Sequence, residues 1–209
     1  MPTPRYHICS SYEVSQKLNK KYNIDELLLG SILPDETFSE HYLSHFQNKE
    51  GSGNESLPNI EAFEKDERIK NSIHSESILA GYKIHLLSDK FFNEYFNDKF
   101  DGKDEDELKA KKHSDTFEYE RYLLLNKNLP QINLSDAIFG EINDVEDIKF
   151  NKEDLKCMIN YFNKYISKNK FERFLEKIFC FMHFKLVTKK EMDKLYLDLI
   201  NYVYQNMKN

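Results

Sequence analysis

The sequence predicts an all-α fold, a multi-helix bundle packed around one long central helix, and three observations carry that expectation. Glycine and proline number only six and five in 209 residues, short of the turn residues that an all-β sandwich or barrel needs about every ten positions. Apolar residues recur at helical spacing along most of the chain. From Ile73 to about Phe100 an apolar and aromatic period runs without a proline and reads as the central helix. The length of 209 residues falls within the range of one domain, so residues 1–209 are expected to form a single helical body.

Taken in order, Val14, Leu18 and Tyr22, then Leu27, Leu28, Leu29 and Ile32, predict two short helices separated by a turn near Asn23 and ended by Pro34. Phe38, Tyr42 and Phe46 mark a third helical face, which stops before the loop-like run 51–56, expected to be mobile. Pro58 suits the first turn of a helix reaching about Lys70, and the long helix follows. Between Asn97 and Asp115 the residues are dense in Asp, Lys and Glu, which predicts the least ordered segment. Packing resumes at Leu123 to Leu125, Pro130 interrupts it, and short elements are expected before a helix starting near Asn151. In the last third, Phe162, Tyr165 and Ile166, then Phe171, Phe174, Leu175 and Ile178, then Leu195, Leu197, Leu199, Ile200 and Tyr204 supply the apolar faces of a helical hairpin or bundle. Thr188 and Glu191 fit a capping box.

Apolar residues at 40% provide enough surface to bury for a folded chain. A net charge of −6 offers no general attraction to polyphosphate or anionic lipid, so nucleic-acid or membrane binding as the main task is disfavoured. The greasiest stretch, Ile178 to Phe184, is too short to span a bilayer, and the start of the chain lacks an apolar leader, so a cytoplasmic protein is expected. Cys9, Cys157 and Cys180 have no Cys-x-x-Cys spacing and read as buried reduced thiols. Phosphate-cradling glycine loops and the Gly-x-Ser-x-Gly elbow are absent.

The segment Gly81 to Asp89 is the most informative. His85 and Asp89 stand four apart, so on a helix both project from one face and can grip one ion. An imidazole and a carboxylate suit Zn, Mn, Fe or Ni, and the carboxylate's second oxygen can bridge to another metal; the plain alternative is a solvated or capping pair. His41 and His45 repeat the spacing, with Asp35 six residues before His41, either as a third ligand or as a turn or capping residue. If His45 points inward with Phe38, His41 lies at the rim and supports the ligands from outside. His7 is read as preceding a short amino-terminal helix, where it lies across a bundle opening or packs as a partly buried ring. Gly81, one turn before His85, either leaves room for a ligand or serves close helix packing. His74 lies about 16 Å of helical rise from His85 and cannot share its ion. His113 and His183 read as solvated and packed.

Taken together, His7, Leu29-Gly30-Ser31-Ile32-Leu33-Pro34-Asp35, Ser44-His45-Phe46 and Gly81-Tyr82-Lys83-Ile84-His85-Leu86-Leu87-Ser88-Asp89 resemble the zinc-dependent phospholipase C family over roughly the first ninety residues. The resemblance implies a helical bundle of that type and a hydrolase of phosphate esters, akin also to zinc-dependent single-strand nucleases. It implies one or two zinc ions: Asp35, His45, His85 and Asp89 would hold one, and Asp89 would bridge to a second that His7 helps to bind. Asp35 is the candidate for orienting or deprotonating the attacking water, with a small phosphate ester as substrate. The family's further metal uses later histidines and a His-x-x-x-Glu pair, for which no match follows Asp89. Two other readings stay open: a non-catalytic helical interaction protein with a structural or degenerate metal site, and a different metal-assisted hydrolase, for instance of amides or phosphomonoesters.

Overall fold

The computed structural model describes residues 2–47, 57–100, 105–179 and 184–208. Among them the chain is mostly helical and contains no strand, so the all-α expectation holds. In order, the elements are α1 (Pro4–Lys17), α2 (Ile24–Gly30), a 3-10 turn (Leu33–Asp35), α3 (His41–Ser44), α4 (Ile60–Lys65), α5 (Glu67–Ser72), α6 (Glu76–Phe100), α7 (Glu105–Asn126), α8 (Asp136–Gly140), α9 (Lys152–Ile166), α10 (Lys170–Phe179) and α11 (Lys189–Lys208).

The long α6 is central: α1, α2, α4 and α11 all pack on it. It buries Ile78, Tyr82, Ile84, Leu86, Phe92 and Phe96, and one apolar cluster runs from Tyr6 to Val203. Two glycines let α2 lie close against α6. A Cβ on Gly30 would fall 2.1 Å from the Ile78 carbonyl oxygen, and one on Gly81 would fall 2.1 Å from the Leu27 carbonyl oxygen. Backbone therefore lies against backbone between α2 and α6, which only residues without a Cβ permit. Of the two readings of Gly81, close helix packing is the one the structure supports.

Helix starts follow local chemistry. Thr3 caps α1 by accepting from the Tyr6 N–H, and Pro4 occupies its first turn, where no N–H partner is needed. The helix therefore begins at Pro4 and contains His7, which corrects the reading of His7 as preceding it. Asn151 caps α9 through the Asp154 N–H, one residue from the expected start. The capping box at α11 is present, with Glu191 N–H donating to Thr188 and Thr188 N–H donating back to Glu191.

Several expectations fail for identifiable reasons. Asp66 breaks the helix predicted from Pro58 to Lys70 into α4 and α5 by serving as the N-cap of the second. Ile73 lies outside α6 and pairs instead with Ile142 in an isolated bridge. Phe38 is 74% exposed and belongs to no helix, so it is not part of the face that buries His45. Phe171, Phe174 and Leu197 are likewise exposed. Cys9 is buried but Cys157 is exposed, against the expectation of buried thiols.

The charged segment from Asn97 to Asp115 departs most from expectation, since its described residues are helical. Asp115 is fully buried and accepts the backbone N–H groups of Lys185, Leu186 and Val187 at 2.6, 2.8 and 3.1 Å. Lys112 is buried against the Phe92 and Phe96 rings and donates to Asn93 at 2.7 Å. These charges serve long-range partners rather than solvent. The loop at 51–56, Cys180 and His183 fall outside the described residues.

Candidate metal centre

Four elements bring the candidate residues to one place: α1 carries His7, the 3-10 turn Asp35, α3 leads into His45, and α6 carries His85 and Asp89. His7, His45, His85 and Asp89 are buried, while the Asp35 side chain is 16% exposed and His41 lies exposed beside it. The opening is therefore at Asp35 and His41.

Local structure fixes each side chain. The Asp35 turn is tied to the start of α9, with Phe38 N–H donating to the Lys149 carbonyl at 2.8 Å and Asn151 N–H to the Glu36 carbonyl at 2.9 Å. After α3 the chain is turned by Phe46 at φ 53°, a left-handed conformation that ends the helix directly after His45. Tyr82 on α6 donates its hydroxyl to the Ser44 carbonyl at 2.5 Å and holds that turn against the central helix.

The imidazoles are oriented by carbonyl oxygens. His85 Nδ1 lies 2.8 Å from the Ser31 carbonyl, and His45 Nδ1 lies 3.0 Å from the His41 carbonyl and 3.0 Å from the Ser44 hydroxyl. A carbonyl only accepts, so each Nδ1 carries a hydrogen and each neutral ring turns its Nε2 lone pair inward. Those two nitrogens are 3.0 Å apart. Lone pairs facing each other in a dry interior repel unless a cation, a proton or a metal ion, lies between them.

Carboxylates stand close to these nitrogens: His45, His85 and Asp89 bring donors within 4.8 Å of one another, and Asp35 does so with His7 and His85 and with His41 and His45. His45 Nε2 is 3.3 Å from Asp35 Oδ1 and 3.5 Å from Asp89 Oδ2, and His85 Nε2 is 3.8 and 3.5 Å from the same oxygens. Ligand atoms on a tetrahedral ion with bonds near 2.0–2.1 Å are separated by about 3.3 Å. The five distances, 3.0 to 3.8 Å, bracket that value. His7 stacks on His85 with ring centroids 3.8 Å apart and brings its Nε2 to 3.3 Å from Asp89 Oδ1, the other oxygen of that carboxylate. That contact is within ion-pair range but lacks hydrogen-bond alignment, and both His7 nitrogens, both Asp89 oxygens and Asp35 Oδ2 are buried with no hydrogen-bond partner. Orphaned buried donors and acceptors on this scale are costly unless something else satisfies them. On donor type, spacing and unmet bonding capacity, the residues fit a metal ion.

Electrostatics agree. Burial works against protonation of His85, but the Asp35 and Asp89 carboxylates outweigh it and raise the ring to about 9. Burial would lift Asp89, yet His85 and His7 hold its carboxyl well below the usual range. Burial and the neighbouring His85 push His7 down. Burial and His45 lower His41 to about 4. The upward shift of His85 favours a proton held at that ring in the metal-free chain.

Sequence reasoning placed His41 outside the ligands as a support. Its backbone carbonyl does orient His45, while its ring stacks on His45 at 3.6 Å and brings a nitrogen within 4.8 Å of donors on Asp35 and His45. Ser31, whose carbonyl anchors His85, and Tyr82 were not foreseen as parts of the site. Comparison with family models, with curated proteins and with solved structures gave no match.

Proposed function

We propose that the chain is a metal-dependent hydrolase of phosphate esters of the zinc-dependent phospholipase C type. The observation supporting it is the convergence of two carbonyl-anchored imidazoles, 3.0 Å apart, with two carboxylates 3.3 to 3.8 Å from them, held by residues that stand in the order of that family's ligands. Zinc suits this nitrogen and oxygen set, and His7 with the free Asp89 oxygen would hold a second ion. When bound, such an ion supplies a Lewis acid for the phosphoryl oxygen and acidifies a water toward neutrality. The chain's own residues do the rest. Asp35, whose side chain is the most exposed of the four donors at 16%, would meet an incoming water and take its proton. The Ser31 and His41 carbonyls keep both imidazoles in one tautomer and orientation, and the buried walls exclude bulk water.

A second reading, a structural metal site in a non-catalytic interaction protein, is favoured by one observation. Four protein side chains, Asp35, His45, His85 and Asp89, offer donors here, the number that closes a structural zinc site, whereas catalytic zinc keeps a position open. The experiment that separates the two is a screen of phosphodiesters and phosphomonoesters with zinc-loaded protein and its Asp35→Asn variant. Turnover that falls by about 100-fold or more in the variant while metal is retained supports the hydrolase. Stoichiometric metal without turnover in either protein supports the structural site.

A further inference from the structure

A cleft of about 340 Å³ lies on a different face of α6 from His85 and Asp89, closed by α4, α5, the end of α11 and the turn after α1. None of its lining residues belongs to the candidate centre. Its floor is apolar, formed by Phe63, Ile69, Leu79 and Met207, and its volume falls at the small end of pockets that take organic ligands. Its rim is basic although the chain carries a net charge of −6: four lysines, Lys21, Lys70, Lys83 and Lys208, face Glu64 and Glu76. Lys83 is paired with Glu64 at 2.6 Å and Lys70 with Glu67 at 2.8 Å. Lys21 and Lys208 have no ion pair among the described residues and lie over the rings of Tyr22 and Tyr204.

An apolar floor under ammonium groups is complementary to a molecule with a greasy body and a negative end. We propose that this cleft binds a single-chain amphiphile with an anionic head, its tail on Phe63, Leu79 and Met207 and its head at Lys21 and Lys208. A carboxylate and a phosphate monoester share this chemistry. Transfer of the tail onto the floor supplies the driving force, and the two lysines select the sign of the head.

The test titrates the full chain, in EDTA so that no metal offers an alternative anion site, with decanoate, decyl phosphate, decanol and decyltrimethylammonium below their micelle concentrations. Methyl NMR signals of Met207 and Leu79 report occupancy. Saturable shifts with at least one anion, and binding at least about tenfold weaker for the alcohol and the cation, are expected. The surface double variant Lys21→Glu, Lys208→Glu should weaken anion binding by about tenfold or more. Binding of one anion and not the other upholds the proposal and names the head. Decanol binding as tightly as decanoate, saturation that leaves Met207 and Leu79 unmoved, or no saturable binding would overturn it.

Discussion

Replacing Gly81 with alanine places a methyl group where three backbone atoms already stand: the Leu27 oxygen at 2.1 Å, the Ser31 nitrogen at 2.8 Å and the Gly30 Cα at 2.9 Å. None of these is the end of a flexible side chain. To bring the first contact from 2.1 Å to an ordinary 3.4 Å, α2 must retreat by about 1.3 Å. The bond displaced is the one from His85 Nδ1 to the Ser31 carbonyl, 2.8 Å long, and a retreat of that size along it breaks it. Overpacking costs about 1–3 kcal/mol, and the stranded buried donor costs about 1–3 kcal/mol more. The better helix propensity of alanine returns about 1 kcal/mol. The net loss is then about 3 kcal/mol, read as a lower midpoint in urea unfolding. Since the lost carbonyl is what orients an imidazole ligand, zinc affinity by competition titration should also fall, by about 10- to 100-fold. Gly140→Ala is the control: its Cβ meets nothing within 4 Å, and stability should change by no more than about 1 kcal/mol. A Gly81→Ala protein as stable as wild type, with unchanged zinc affinity, would refute the reasoning.

The remaining predictions concern protons, turns and charges. Because folding raises His85 from 6.5 to about 9, its contribution to the metal-free protein is full below about pH 6.5 and is lost as pH rises through about 9. Thermal melts in EDTA should show the midpoint falling across that window, and a midpoint that rises there contradicts the assignment. At pH 7 zinc must displace that proton, so calorimetric binding enthalpies should vary with the ionisation enthalpy of the buffer; no variation would argue against His85 as the proton's holder. Tyr82→Phe removes the hydroxyl that meets the Ser44 carbonyl and should destabilise by about 1–3 kcal/mol in urea unfolding. Asp115→Ala removes the acceptor of three backbone N–H groups, of which the Val187 bond is buried, and should destabilise by about 1–3 kcal/mol, with amide exchange at residues 185–187 accelerating first.

The parts of this molecule legible in sequence are those governed by local spacing. The uninterrupted period up to Phe100 marked α6, and the four-residue step from His85 to Asp89 was enough to place both on one face. What set the site's geometry was not local. The carbonyl that orients His85 belongs to Ser31, fifty-four positions away, and no residue-type pattern announces a backbone acceptor. The same limit explains the charged stretch before Asp115. Composition reads Lys112 and Asp115 as solvated, whereas their partners, the Phe92 and Phe96 rings and the N–H groups of residues 185–187, lie on other elements. Phe38 and Phe171 show the converse, aromatic residues at helical spacing that nothing covers.

The central claim, that His45 and His85 converge on a divalent cation rather than only on a proton, is tested most directly by elemental analysis of the purified chain and of its His85→Ala variant after zinc loading and dialysis. The account predicts at least one ion per wild-type chain and loss of that ion from a variant that still folds. A wild-type chain free of metal, or a variant that keeps its full complement, would contradict it.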